Sequence, residues 1–490
     1  MKDLKEKTLR AGLARLIAQA ANFVLRVGSL MVLARLLDPA DFGLVGMVTV
    51  VTGVLSLFKD GGLSTVTIQR ATITNEQIST LFWINTLVGL ALGVLTLGVA
   101  PILVSFYLEP RLFWITAALA TGFLINALGV QHWALLQRDM RFLALSIVEI
   151  LSQVVGSAVG IIMALAGFGY WALVGMTIML QVSYTVCLWM TMTWVPGLPR
   201  RGIGSGSMVR FGGMATLNAF VCYIAFNLEK LLLGRFWGAE ALGIYGRAYQ
   251  LINIPTENLN SAIGGVALSA LSRLQDNPNR FKVYFLRGYS LLISLTLPIT
   301  VACALFAEDI ILLFLGPKWA SAIPIFRLLT PTILAFALLN PFSSFLMSLG
   351  MVDRTVKIAF VIAPLMFVAY LIGLPYGPNG VAFAYSAAMI LSVIPLLAAC
   401  IYGTMISARD FLPMIGRPLL SALIGGTVAY AAQSLCCHSF PPVFRLAIEV
   451  SILLLAYLWM LLFVMGQKTF YLDLLRALWP GFFSRVPESV

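Results

Sequence analysis

The sequence predicts an all-α polytopic membrane protein with about fourteen transmembrane helices, and three observations carry that expectation. Of the 490 residues, 60% are hydrophobic and 11% charged, against roughly 45–50% and about 25% in soluble domains. Mean hydropathy is +0.94. The cations, finally, alternate in abundance from loop to loop along the chain. A soluble protein of this length could not bury so much apolar surface. These figures exclude a soluble enzyme, a disordered chain and a disulfide scaffold. A span takes about 20 apolar residues, so fourteen use roughly 294 and leave loops of about ten. That leaves no room for a soluble globular domain.

Taken in order, the apolar windows place spans near 12–35, 42–66, 77–104, 112–136, 143–166, 170–194, 208–235, 242–272, 281–306, 322–350, 355–374, 380–403, 415–435 and 443–465. The stretch from Glu308 to Trp319 is a polar break with a short apolar piece and reads as interfacial. The polar start, Met1 to Lys7, lacks a small-residue cleavage site and leads directly into the first helix, so no cleavable signal is expected. Gly89 with Gly93, and Gly156 with Gly160, have the spacing of small-residue packing seams.

Net charge is +12. Nineteen loop and terminal cations fall on the side of the two termini and five on the other. That bias puts both termini in the cytoplasm and favours an even number of spans. It also accounts for the basic excess without nucleic acid. The remaining eight cations lie within spans: Arg15, Arg26, Lys59, Arg210, Lys230, Arg247, Arg287 and Arg327. Five acids join them: Asp60, Glu149, Glu229, Glu257 and Glu449.

An internal repeat organises the chain. Leu33 to Gly46 can be laid on Leu233 to Gly246, with the Arg, the apolar residue seven on and the Gly pair recurring at an offset of 200. Gly61-Gly62 precedes Arg70 as Gly264-Gly265 precedes Arg273. Each repeat holds six expected spans, an even number that preserves orientation, so the halves are parallel around an axis along the membrane normal. The expected domains are a first six-helix lobe over 1–200, a second over 201–405, and an extra helix pair with a cytoplasmic tail over 406–490. A central cavity would lie between the lobes.

Arg15, Gln19, Asn22 and Arg26 share one face of the first span. Arginine at a helix centre costs roughly 2.5–3.5 kcal/mol on insertion scales, so this face should meet protein or water. One reading makes it a cationic cavity wall; the other lets Arg15 snorkel to headgroups. Arg247, Gln250, Asn258 and Ser261 form a similar stripe, and Asn218 and Glu229 another. They suit either a shared cavity or structural interhelical hydrogen bonds. Lys59 and Asp60 either serve that cavity or simply pair. Glu149 and Gln153, one turn apart, form either a proton relay or a hydrogen-bonded pair. Pro255, Pro298, Pro331, Pro341, Pro364 and Pro395 interrupt the second half, against Pro101 in the first. Such prolines mark either a bending lobe or static kinks.

Other signals are discounted. Gly202 to Gly206 has no preceding strand, and no Walker A motif exists, so no nucleotide site is expected. His132 and His438 make no metal centre with scattered acids, and the six cysteines read as small apolar residues. No cofactor is expected.

Leu33 to Gly46, Gly61-Gly62 to Gln69-Arg70, Asn227 to Arg235, Gly243 to Tyr249, and Gly316-Pro317-Lys318-Trp319 resemble the polysaccharide transporter branch of the MOP flippase superfamily. They are similar to Wzx-type exporters of colanic acid and succinoglycan. In that branch the position of Glu229 is acidic, usually Asp. The resemblance implies the MOP flippase fold. It also implies a non-enzymatic flippase of the bacterial inner membrane that moves undecaprenyl-diphosphate-linked oligosaccharide to the periplasmic leaflet by alternating access. Polymerase and chain-length proteins of exopolysaccharide, O-antigen or capsule synthesis would be its partners, and a monomer its state.

A diphosphate carried through hydrocarbon costs tens of kcal/mol, and arginines in a wet cavity replace its hydration. Arg26 and Arg247 are expected to contact the diphosphate, Asn22 to line the site, and Arg15, Arg210 and Lys59 to attract the anion. Asp60, Glu149, Glu229 and Glu257 are the candidates for ion pairing or coupling. Exporting two negative charges from an inside-negative cell gains about 4.6 kcal/mol per 100 mV. A lipid II flippase and a cation-coupled drug exporter are the alternatives within the superfamily, and a membrane scaffold the alternative outside it.

Overall fold

The computed structural model describes residues 2–59, 63–70, 73–199, 220–272, 277–436, 441–469 and 471. Side chains are described for these except 2–17, 66, 69, 258–272, 352, 435 and 436. The described chain is all-α. In order, the helices are α1 (Lys2–Leu36), α2 (Pro39–Ser56), α3 (Leu63–Gln69), α4 (Asn75–Tyr107), α5 (Leu112–Arg138), α6 (Phe142–Leu165) and α7 (Tyr170–Thr191). They continue with α8 (Leu228–Ser272), α9 (Pro278–Leu305), α10 (Ala307–Phe314), α11 (Ala322–Leu329), α12 (Pro331–Ser348), α13 (Val352–Gly373), α14 (Gly377–Ile401), α15 (Ala408–Cys436) and α16 (Pro442–Trp459).

The helix starts follow local chemistry. At α4, the Gln77 backbone N–H donates to Thr74 Oγ1 at 3.3 Å and the Thr74 N–H donates to Gln77 Oε1 at 3.1 Å, so two otherwise orphaned donors are satisfied. Asp38 opens α2 with Pro39 behind it, its N–H donating to Asp41 Oδ2 at 3.2 Å. Pro39 and Pro278 stand where a helix needs no N–H.

Ten helical stretches among the described residues are long and apolar enough to cross a membrane. The expected first and eighth spans, which fall on α1 and α8, are not among them, and of the expected seventh span residues 208–219 lie outside the described residues. The expected second span is broken: α2 stops at Ser56 and α3 is separate. The expected loop between spans seven and eight shrinks to one kink, because α8 runs on from 228 to 272 with only Gly238 non-helical (φ 81°, ψ −176°). A side chain at that φ would be strained. The expected tenth span is present as one apolar stretch, Ala322–Ser348, within which Thr330 separates α11 from α12. The stretch 308–319 is not merely interfacial, since Asp309, Ile311, Leu315 and Trp319 are buried in protein.

Two compact units are present. The first contains Met1–Gly246, Phe314–Trp319 and Ile362–Val381. Within it α4 packs on α5, α6 on α7, and α1 on α6. The glycine seams do what their spacing suggests: a Cβ at Gly89 would lie 2.5 Å from Ala127 Cβ, and one at Gly160 2.8 Å from Met176 Cβ. His132 is buried and stacked on Trp189 at 4.4 Å, with Trp194 edge-on at 5.2 Å. Trp83 Nε1 donates to Gly197 O at 2.8 Å, which fastens the chain after α7 to the same end. Arg138 Nη1 donates to the carbonyls of Thr67 and Arg70 at 2.7 and 2.8 Å and so closes the end of α3.

The second unit contains Arg247–Leu313, Ala320–Val361 and Ala382–Val490. Its core includes a cluster of Phe285, Tyr289, Phe342, Phe345 and Phe411. Phe306, Ala429 and Leu453 join α15 and α16 to the end of α9, and Tyr457 Oη donates to Ser294 O at 2.7 Å. The expected lobe boundary at residue 200 lies outside the described residues.

Trp319 is wholly buried, donates from Nε1 to Ala34 O at 2.8 Å and meets Phe42 edge-on at 5.4 Å. Trp319→Ala is expected to cost about 3–5 kcal/mol. Thermal unfolding in detergent should show a large fall in midpoint, and Trp319→Phe a smaller one.

Candidate functional site

The best-defined polar feature of the first unit is a seam between α1 and α6. Asn22 Nδ2 donates to Glu149 Oε2 at 3.4 Å. Two turns on, Ser29 Oγ donates to Ser157 Oγ at 2.6 Å, and Gln153 Nε2 donates to the same Ser157 oxygen at 3.0 Å. Glu149 thus accepts from Asn22 and Gln153 donates to Ser157 along the same seam. The sequence marked Asn22, Glu149 and Gln153 but gave Ser29 and Ser157 no role, since a serine in an apolar helix usually bonds its own backbone.

Arg26 lies on α1 one turn beyond Asn22 and is exposed. It stands ten residues before Leu36, about 15 Å along the helix. Arg15 is on the same helix, its side chain outside the described residues. Lys59, just past α2, is exposed. Asp60 and Arg210 lie outside the described residues.

Glu229 opens α8 and is buried, 1% exposed. Lys230, next along the helix, donates from Nζ to Asn227 Oδ1 at 2.7 Å. Tyr370 Oη donates to Ala225 O at 3.0 Å, and Tyr223 Oη to Val50 O at 3.1 Å, which walls this corner with hydroxyls. Arg247 and Glu257 belong to the second unit. Arg247 is half-buried and donates from Nη1 to Gln250 Oε1, the neighbour expected from the stripe, while Glu257 is exposed.

At the end of α1 remote from its N-terminus the two repeat copies meet inside the first unit. A Cβ at Gly43 would run into the carbonyl of Ala239, and one at Gly243 into the carbonyl of Pro39. Lys318 Nζ pairs with Asp38 Oδ1 at 2.8 Å at the rim. In the nearby turn between α4 and α5, Arg111 grips Glu109 through Nε and Nη2, both at 2.8 Å. This guanidinium holds the Glu109 carboxyl below its usual range.

Sequence reasoning missed one cluster in the second unit. Asp309, buried at the start of α10, pairs with Arg445 Nη2 of α16. Glu449, also buried, follows Arg445 by one turn. Glu449 was visible as an acid within a span, but nothing in the sequence joins Asp309 to a residue 136 positions away.

Residues 32–324, more than half the chain, match the family described as polysaccharide biosynthesis protein. The chain belongs to that family. Among relatives, the teichuronic acid biosynthesis protein TuaB of Bacillus subtilis (strain 168) is 29% identical over 384 residues, covering 77% of this chain and 74% of that protein. The lipopolysaccharide biosynthesis protein WzxC of Escherichia coli (strain K12) is 25% identical over 440 residues, covering 88% of each. Lipid II flippase MurJ in an inward closed conformation superposes with a TM-score of 0.76 at 16% identity, covering 95% of this chain and 100% of that one. The fold of this family member is the MOP flippase fold that the motifs imply, and it is a multi-pass membrane protein.

Removing one partner of a buried ion pair strands the other charge. Asp309→Ala is therefore expected to cost up to about 3–5 kcal/mol, and the Asp309→Leu, Arg445→Met double variant much less. Melting curves of the three proteins in detergent check the order.

Proposed function

We propose that this protein is a flippase, not an enzyme, that carries an undecaprenyl-diphosphate-linked oligosaccharide from the cytoplasmic to the outer leaflet of the bacterial inner membrane. The observation that carries the reading is Arg26, an exposed guanidinium on α1 one turn from Asn22, in a chain of the polysaccharide biosynthesis family. An arginine there is tolerable only beside water, protein or an anion, and a diphosphate offers bidentate acceptors. Arg15 on the same helix, with Lys59 and Arg210, would raise the local concentration of the anion. Asn22 would line the same face, and Arg247 would be a further contact in its own unit. The names of WzxC and TuaB, both proteins of surface-polymer synthesis, support the oligosaccharide class of cargo.

The excess of nineteen cations over five supports cytoplasmic termini. Transfer would proceed by alternating access and gain from the membrane potential. Of the acids, Glu229 fits a coupling role best because it is buried; Asp60 and Glu257 would pair locally, and Glu149 is engaged by Asn22. Polymerase and chain-length proteins of the same pathway would take up the product, and the working unit would be a monomer.

Polymer restored in a strain lacking its own flippase tests this. Wild-type protein should restore it, Arg26→Ala and Arg247→Ala should lower it at least tenfold at equal membrane level, and Arg26→Lys should retain part. Normal polymer from both alanine variants would refute the site. Rescue of a strain lacking its lipid II flippase, instead of polymer, would refute the cargo.

A further inference from the structure

Two buried acids share one cation near the start of α16. Asp309 of α10 is 1% exposed and Glu449 of α16 is wholly buried. Arg445 gives its Nη2 to Asp309 Oδ1. Neither carboxyl oxygen of Glu449 accepts a hydrogen bond from a described residue, and the Nε of Arg445 meets no described acceptor. An orphan donor and two orphan acceptors therefore stand four residues apart, on one face of α16, and the two groups interact electrostatically. Along that face Leu446 and Leu453 flank Glu449 and belong to the apolar cluster of Phe306 and Ala429. Of the other polar groups around the cluster, Glu308 of α10 is exposed beside Asp309. Gln433 is the side chain that α15 turns toward Glu449, without a formed hydrogen bond. His438, in the segment between α15 and α16, lies outside the described residues.

We propose that Glu449 is a binding site for one exchangeable proton, and that Arg445 is the switch that lets the proton come and go. A carboxylate with no donors in apolar surroundings is far costlier than the neutral acid, and a second carboxylate, Asp309, faces it. While Arg445 is held by Asp309, Glu449 is the neutral acid and the cluster carries no net charge. When the proton leaves, the new carboxylate needs a donor, and the unused Nε–H of Arg445 supplies one from the preceding turn. The planar fork of a guanidinium can serve two carboxylates at once, so Arg445 then bridges Asp309 and Glu449. Only the Glu449 O–H bond is broken. The proton passes to water at the rim, where Arg445 is 22% exposed and Glu308 is open. A glutamic acid sealed for good would have neither the idle donor beside it nor this edge. The helices involved, α10, α15 and α16, carry none of the residues assigned to cargo, so the proton site does not rest on the flippase reading.

Infrared difference spectroscopy of the purified full chain in detergent tests this without cargo. At neutral pH, wild type minus Glu449→Gln should show one protonated-carboxyl band that shifts in heavy water. Glu229, also buried, is common to both proteins and cancels. Raising the pH should remove the band and lowering it again should restore it. In Asp309→Asn the guanidinium is released to Glu449, so the band at neutral pH should fall at least fivefold. Absence of the band from wild type overturns the proposal, because Glu449 would then be ionised already. A band that no pH tolerated by the folded protein removes, or one undiminished in Asp309→Asn, also overturns it, because the acid would then be permanently neutral or indifferent to Arg445. If Glu449→Gln does not fold, Glu449→Asp, which keeps the acid and moves the band, is the reference. Failure of both to reach the membrane makes Glu449 a packing residue and overturns the switch. If Asp309→Asn does not fold, reversal of the wild-type band with pH decides alone.

Discussion

A charge within hydrocarbon must be surrounded by protein, water or a counter-charge, and the arrangement of the first helix follows from that constraint. Arg26 stands about 15 Å from the end of α1, one turn beyond Asn22. On the reading proposed above, the face it shares with Asn22 meets water or protein and not lipid. On the neighbouring turns the same helix is stitched to α6 through Asn22–Glu149 and Ser29–Ser157. Polar groups that would be costly in lipid are thus used to hold α1 in one rotation, and that rotation decides what Arg26 meets.

The same economy recurs where backbones cross. At Gly89 and Gly160 the missing side chains allow helices to pack permanently, as bundles without a hydrophobic drive between helices require. At Gly43 and Gly243 the missing side chains admit carbonyls of the other repeat copy. One device, the absent side chain, allows close approach in both places. Side chains such as Ala127 and Met176 flank the first, while a turn and the Asp38–Lys318 ion pair border the second.

Much of this was legible in the sequence because it is periodic. Hydropathy locates most helices to within a few residues, and the offset of 200 is visible in the sequence as a recurring pattern. The misses share a cause. The break between α2 and α3 and the reduction of an expected loop to Gly238 both turn on a few residues beside apolar windows that average them away. Asp309 with Arg445 could not be read, since a non-local pair leaves no local pattern. Asn22 and Glu149 were each visible as polar residues in spans, but their bond depends on the rotation of two helices about their axes.

The most direct measurement is transfer in vesicles of purified protein, comparing one oligosaccharide on a polyprenyl diphosphate with the same oligosaccharide on an uncharged polyprenyl anchor. If guanidinium groups replace the hydration of the diphosphate, the charged lipid crosses, faster with the compartment it leaves held negative, and the uncharged one does not. Equal rates for the two lipids, indifferent to the imposed potential, would contradict the account.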